Sequence, residues 1–127
     1  MPGRWTAVAA LNGFLAVALG AFAAHGLKKH VEPAQIVIFE TGVRFQMYHA
    51  FALIAASWVI GTKPSRSASA AAWFFQAGIL LFSGSLYALT FLPWKWLGPV
   101  TPLGGTCLLV GWALLALAAG RRPQAQP

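Results

Sequence analysis

The sequence predicts an all-α integral membrane protein, a four-helix bundle with an interfacial helix between spans one and two. Three observations predict it. Four long stretches carry no charged residue: Trp5–Ala24, Phe45–Gly61, Ser67–Leu92 and Trp96–Gly120. Hydrophobic residues make up 58% of the chain and charged residues 9%, which excludes a soluble domain of ordinary composition. The basic residues Arg4, Lys28, Lys29, Lys63, Arg66, Lys95, Arg121 and Arg122 collect at the ends of the stretches, where membrane anchors sit.

The first stretch is long enough to cross a hydrocarbon core, which takes about 20 apolar residues in a helix. Ala21-Phe22-Ala23 resembles a signal-peptidase site. The apolar run before it is a full span and three more follow, so the first helix reads as retained. Its end is predicted at His25, with His25 as a cap and Gly26 as a left-handed terminator. The second span is shorter but can be extended. Pro33 suits a first helical position, and Ile36, Phe39, Val43 and Met47 recur at helical spacing after it. This helix is expected to lie along or dip into the interface and continue into span two.

Thr62–Ser69 is Ser-rich and basic, a short solvated turn. Span three follows, and span four is expected to open with Thr101 as N-cap and Pro102 at the first helical position. The domain runs over residues 1–120, and 121–127, rich in Pro and Gln, should be a disordered tail. Backbone groups in lipid must be satisfied within the chain, so the spans must be helices. Gly13 with Gly20, Gly78 with Ser85, and Gly104 with Gly111 are each seven apart. Each pair should mark a face where helices approach closely.

Four crossings place both termini on one side, with Arg4, Lys63, Arg66, Arg121 and Arg122. The other side has Lys28, Lys29, Lys95 and, if it lies outside a helix, Arg44. The excess places the termini in the cytoplasm. The expected location is the bacterial plasma (inner) membrane. The formal charge of +7 is read as directed at membrane lipids, with no nucleic-acid partner. The single cysteine, Cys107, excludes an intrachain disulfide.

This topology gathers most polar residues into the half of the membrane away from the termini: His25, Glu40, Arg44, Gln46, Tyr48, His49, Ser83, Ser85, Tyr87, Thr90, Thr101 and Thr106. The other half has mainly Asn12, Ser57 and Gln76. The candidate ligand-binding or structural cluster is therefore His25, Glu40, Arg44, Gln46, His49, Ser83, Ser85, Tyr87 and Thr101. Glu40 and Arg44, four apart, share a helix face. They read either as a proton or ligand site or as charges that neutralise each other. His25 and His49 fall at one predicted level, but with Glu40 they match no metal-ligand spacing, and no metal or cofactor is expected. Ser83, Ser85 and Tyr87 could line a crevice or hydrogen-bond between helices, and Asn12 reads as a link between helices. There is no phosphate loop, no Asp and no carboxylate pair, so no hydrolase or nucleotide site is read and no catalytic residue is assigned.

Four stretches carry a resemblance: Gly20-Ala21-Phe22-Ala23-Ala24-His25-Gly26-Leu27; Thr41-Gly42 through Phe45-Gln46-Met47-Tyr48-His49; Leu81-Phe82-Ser83-Gly84-Ser85-Leu86-Tyr87; and Val100-Thr101-Pro102-Leu103-Gly104-Gly105 with Gly111-Trp112-Ala113-Leu114. In this order the chain resembles a small four-helix membrane family of unknown function, that of the YgdD- and YwdK-type proteins. Ala23 stands where that family usually has Gly, and Phe45 where Tyr is frequent. The resemblance implies a four-helix membrane protein and supplies no reaction. Small size, short loops and small-residue faces predict a non-enzymatic accessory or structural subunit of a larger membrane assembly, or a homo-oligomer. The alternative is a carrier of a small solute, lipid or quinone that uses the polar crevice.

Overall fold

In a computed structural model, residues 2–122 are described, and they form four long helices. These are α1 (Pro2–His25), α2 (Pro33–Thr62), α3 (Arg66–Phe91) and α4 (Val100–Gly120). All four are long and apolar enough to cross a membrane. The expected tail falls largely on residues 123–127, outside the described ones.

Helix ends follow local chemistry, and not always as expected. Gly26 has φ −83°, so the chain leaves α1 through a 3-10 turn at Leu27–Lys29 rather than a left-handed glycine. His25 is exposed and makes no capping hydrogen bond among the described residues. Leu27 is buried against Ala23 and Phe39, and that burial turns the chain back. Pro33 does stand at the start of α2, where a missing N–H costs nothing. Gln35 fastens this end twice: its Oε1 accepts from the Glu32 N–H at 2.9 Å and its Nε2 donates to the Thr90 carbonyl at 3.0 Å.

No separate interfacial helix stands between spans one and two among the described residues. The amphipathic segment is the first turns of α2, whose 30 residues extend about 45 Å. That exceeds the roughly 30 Å hydrocarbon thickness. The turn after α2 is shorter than expected, because Ser65 caps α3 by accepting from the Ala68 N–H at 3.1 Å. Thr101 is not an N-cap. Helix α4 starts at Val100, two residues before the expected Pro102, and the Thr101 hydroxyl lies 2.5 Å from that of Ser85.

Among the described residues, helix α1 packs along α2, α2 along α3, and α3 along α4, while α4 only brushes α2 and shares no packed interface with α1. Cross-links from α1 to α3 (Asn12 to Gln76) and from α4 to α2 (Trp112 to His49) put α1 and α4 on opposite sides of the central α2–α3 pair. Both termini lie at one end. The Ser57 hydroxyl donates to the Pro2 carbonyl at 2.6 Å, and Lys63 Nζ donates to the carbonyls of Ala119 and Arg121 at 3.0 and 3.3 Å.

The glycine pairs divide. Gly104 presses on the backbone of Leu81 and Phe82, Gly111 on the Phe75 ring, and Gly78 on Leu108, so α3 and α4 meet through them. Among the described residues, a Cβ at Gly13 would meet nothing within 4 Å. The buried face of α1 is Ala9, Asn12, Ala16 and Ala23 instead. Alanine is small enough to let α1 approach α2 closely.

Candidate functional site

The most connected polar feature is a hydrogen-bond ladder across three helices. The Tyr87 hydroxyl on α3 donates to Gln46 Oε1 on α2 at 2.7 Å. Gln46 Nε2 donates to Asn12 Oδ1 on α1 at 3.1 Å. Asn12 Nδ2 donates to Gln76 Oε1, back on α3, at 2.8 Å and to its own helix at the Val8 carbonyl at 3.0 Å. Asn12 and Gln46 are 5% and 6% exposed, so neither amide has water as an alternative partner. The Val8 carbonyl can only accept. It fixes which Asn12 atom is nitrogen, and every rung then takes its direction.

The remaining polar side chains pair locally. Ser83 donates to the Gly42 carbonyl at 2.7 Å, across the α2–α3 seam. Gly42 admits this approach, because a Cβ there would stand 2.8 Å from the Tyr87 ring. Ser85 binds the Phe82 carbonyl as well as Thr101. His49 uses both ring nitrogens. Its Nδ1 lies 2.6 Å from the Phe45 carbonyl, and its Nε2 lies 3.1 Å from the indole nitrogen of Trp112. An indole N–H only donates and a carbonyl only accepts, so Nε2 is the bare nitrogen, Nδ1 carries the proton and the imidazole is neutral.

The structure does not gather the expected cluster into one place. Gln46 and Tyr87 join the ladder, Ser85 joins Thr101, and Ser83 and His49 each bind elsewhere. His25 is exposed at the end of α1. Ala23 packs near Phe39, and His49 is a further ten residues along α2, about 15 Å deeper, so the two histidines do not share a level. Glu40 and Arg44 form no ion pair among the described residues. Arg44 is exposed and donates to the Thr41 hydroxyl at 3.3 Å. An exposed arginine on a membrane-crossing helix can extend toward the headgroups, which removes the need for a carboxylate partner. Among the described residues no three His, Cys, Asp or Glu side chains come together to hold a metal ion.

Asn12 and Gln76 complete the ladder although the topology assigns them to the other half of the membrane. Trp112 lies outside the cluster that the sequence marks. The signal for the amides was their placement: an isolated amide within an apolar span needs a partner on another helix.

Two recesses open on the outside of the bundle. One, of about 440 Å³, lies between α2 and α4 and is lined by Phe45, His49, Gly105, Thr106, Leu109 and Trp112 among others. The other, of about 290 Å³, lies between α1 and α3 and is lined by Arg4, Trp5, Val8, Ser69, Trp73 and Gln76.

Comparison with known proteins gives a family and no activity. Residues 19–105 match the family described as "Protein of unknown function (DUF423)". The UPF0382 membrane protein YwdK of Bacillus subtilis is 40% identical over 111 residues, covering 87% of this chain and 90% of that protein. A UPF0382 membrane protein of Haemophilus influenzae is 41% identical over 116 residues, covering 91% and 93%. UPF0382 membrane protein SAB0533 of Staphylococcus aureus is 41% identical over 109 residues, covering 86% and 88%. No solved structure matches the chain.

Proposed function

The chain belongs to the DUF423 family of membrane proteins of unknown function, and from that premise we propose that it is a non-enzymatic accessory or structural subunit of a larger membrane assembly. One observation carries this reading: the polar interior is spent on itself. Among the described residues, no buried side-chain nitrogen or oxygen lacks a hydrogen-bond partner. Polar groups that hold a substrate or do chemistry converge on a space where that substrate sits. Here they converge on one another. The exterior has room for neighbours. Gly13 and Gly84 meet nothing within 4 Å, and each leaves a place where a foreign helix backbone can approach.

The test is affinity isolation of the tagged chain from its own membrane in mild detergent, followed by native mass spectrometry. The expected result is a second protein, or a defined number of copies of this one, at fixed stoichiometry. A monomer with no stoichiometric partner would overturn the reading. The proposed location is the bacterial plasma membrane with cytoplasmic termini, which a carboxy-terminal fluorescent or phosphatase reporter reads directly.

A carrier of a lipid, quinone or small solute is the second reading, and the α2–α4 recess favours it. His49 and Thr106 are polar groups on an otherwise apolar wall that opens sideways toward lipid. Thr106→Val and His49→Phe, which alter the two polar groups of the recess, should then abolish binding or transport without loss of fold. Unchanged binding in both variants would remove this reading.

A further inference from the structure

The α1–α3 recess differs from the rest of the molecule in having polar groups left to offer. It lies at the end of the bundle that carries both termini. Ser69, Trp73 and Gln76 are spaced at four and three residues, so they line one face of α3 over about 10 Å. Trp5 and Trp73 meet edge to face across it, with ring centroids 4.9 Å apart. Arg4 and Ser69, at the outer end, are exposed, and among the described residues their side chains make no hydrogen bond or ion pair.

Gln76 is at the inner end, and the ladder decides what it presents there. The Val8 carbonyl fixes Asn12 Nδ2 as the donor, so the Gln76 atom facing Asn12 must be its oxygen. The Gln76 amide nitrogen is therefore turned away from the ladder. It donates to no described residue, and because no buried side-chain polar atom is unpaired, it is open to the recess. The sense of a hydrogen-bond chain that begins at Tyr87 thus reaches the recess as two N–H bonds.

Every polar group offered by this recess can donate: a guanidinium and a hydroxyl at the mouth, an amide N–H at the floor. No acidic side chain lines it. Its walls are tryptophan and valine, and it faces the membrane. We infer that the α1–α3 recess binds an anionic glycerophospholipid, with the headgroup charge at Arg4 and Ser69 and an acyl ester carbonyl accepting from the Gln76 amide. Both demands are met by one molecule, since an ester carbonyl lies below the phosphate in the same lipid. A cation is excluded by Arg4 and by the donor at the floor. The inference is independent of whether the chain has a protein partner.

The experiment is native mass spectrometry of the full chain released from nanodiscs of equimolar phosphatidylglycerol and phosphatidylcholine. One interfacial arginine should enrich phosphatidylglycerol by about fivefold among retained lipids. Arg4→Gln should remove the enrichment, and Arg122→Gln, at the same end but outside the recess, should not. Gln76→Leu should weaken retention of both lipids by about fivefold, the worth of one hydrogen bond between neutral groups. Asn12 Nδ2 keeps its bond to the Val8 carbonyl in that variant, and Arg4→Gln leaves the ladder untouched, so the two variants fail independently. Equal retention of both lipids by the unaltered chain would overturn the inference. So would wild-type enrichment in Arg4→Gln, or displacement of the lipid by excess inorganic phosphate.

Discussion

The two outer helices are attached to the central pair by different physics. Helix α4 meets α3 through absent side chains. Gly104 and Gly111 sit against the Leu81–Phe82 backbone and the Phe75 ring, and Ser85 to Thr101 is the side-chain hydrogen bond across that seam. Helix α1 is held mainly by polar groups and alanine. Thr6 bonds Ser57 at 2.7 Å, and Asn12 bonds both Gln46 and Gln76. In lipid there is no hydrophobic effect to drive helices together, so close packing and hydrogen bonds are the available means. This chain uses one on each side. The difference teaches where each seam is vulnerable: the glycine seam to added volume, the polar seam to lost partners.

Gly104→Ala should be the most damaging change. A Cβ there would overlap the backbone of Leu81 and Phe82, which cannot swing aside as a side chain could. The helices must separate, at an expected cost of about 3 kcal/mol, the upper end for overpacking. Thermal or denaturant unfolding in detergent would show it, and a wild-type midpoint would break the comparison. Gly42→Ala strikes the hydrogen-bond ladder through volume, at the central α2–α3 seam. The added methyl meets the Tyr87 ring at 2.8 Å, and the ring carries the hydroxyl that binds Gln46. A loss of about 2 kcal/mol is expected. A Tyr87→Phe background should absorb little of it, because the clash is with the ring.

Gln46→Leu removes two rungs at once and keeps the volume. Hydrogen bonds between membrane helices average about 0.6 kcal/mol, so a loss of about 1 kcal/mol is expected, smaller than for either glycine. A larger loss than that of Gly104→Ala would reverse the proposed order. Gly13→Ala is the control. Nothing lies within 4 Å of its added carbon, so stability should stay level or rise by up to about 1 kcal/mol through helix propensity. A marked fall would mean that Gly13 faces a neighbour, and would favour an oligomer.

The glycine seam was more legible in the sequence than the polar one. Gly78 with Ser85 and Gly104 with Gly111 declare their faces by a seven-residue spacing, and both pairs are used. The same rule misplaced Gly13, because the alanines of α1 are equally small and equally periodic. The four spans were legible because length and apolarity alone set them. The ladder was only half legible. Sorting polar residues by membrane half placed Gln46 and Tyr87 apart from Asn12 and Gln76. Long amide and phenol side chains bridge that division, which a sorting by backbone level does not register. Glu40 and Arg44 show the opposite failure. Their spacing permits an ion pair, but the side-chain directions that decide it are not in the spacing. The neighbour of His49 was not legible, since its partner Trp112 is 63 residues away on a helix that barely touches its own.

The central claim is that the buried polar side chains bind the helices to one another. The most direct test is a double-mutant cycle on Asn12→Leu and Gln46→Leu, read by reversible unfolding in lipid or detergent. A direct bond predicts that the double variant loses less than the sum of the singles, with a coupling of about 0.6–1.7 kcal/mol. Strict additivity would contradict the claim, because it would mean that the 3.1 Å contact between these amides holds nothing together.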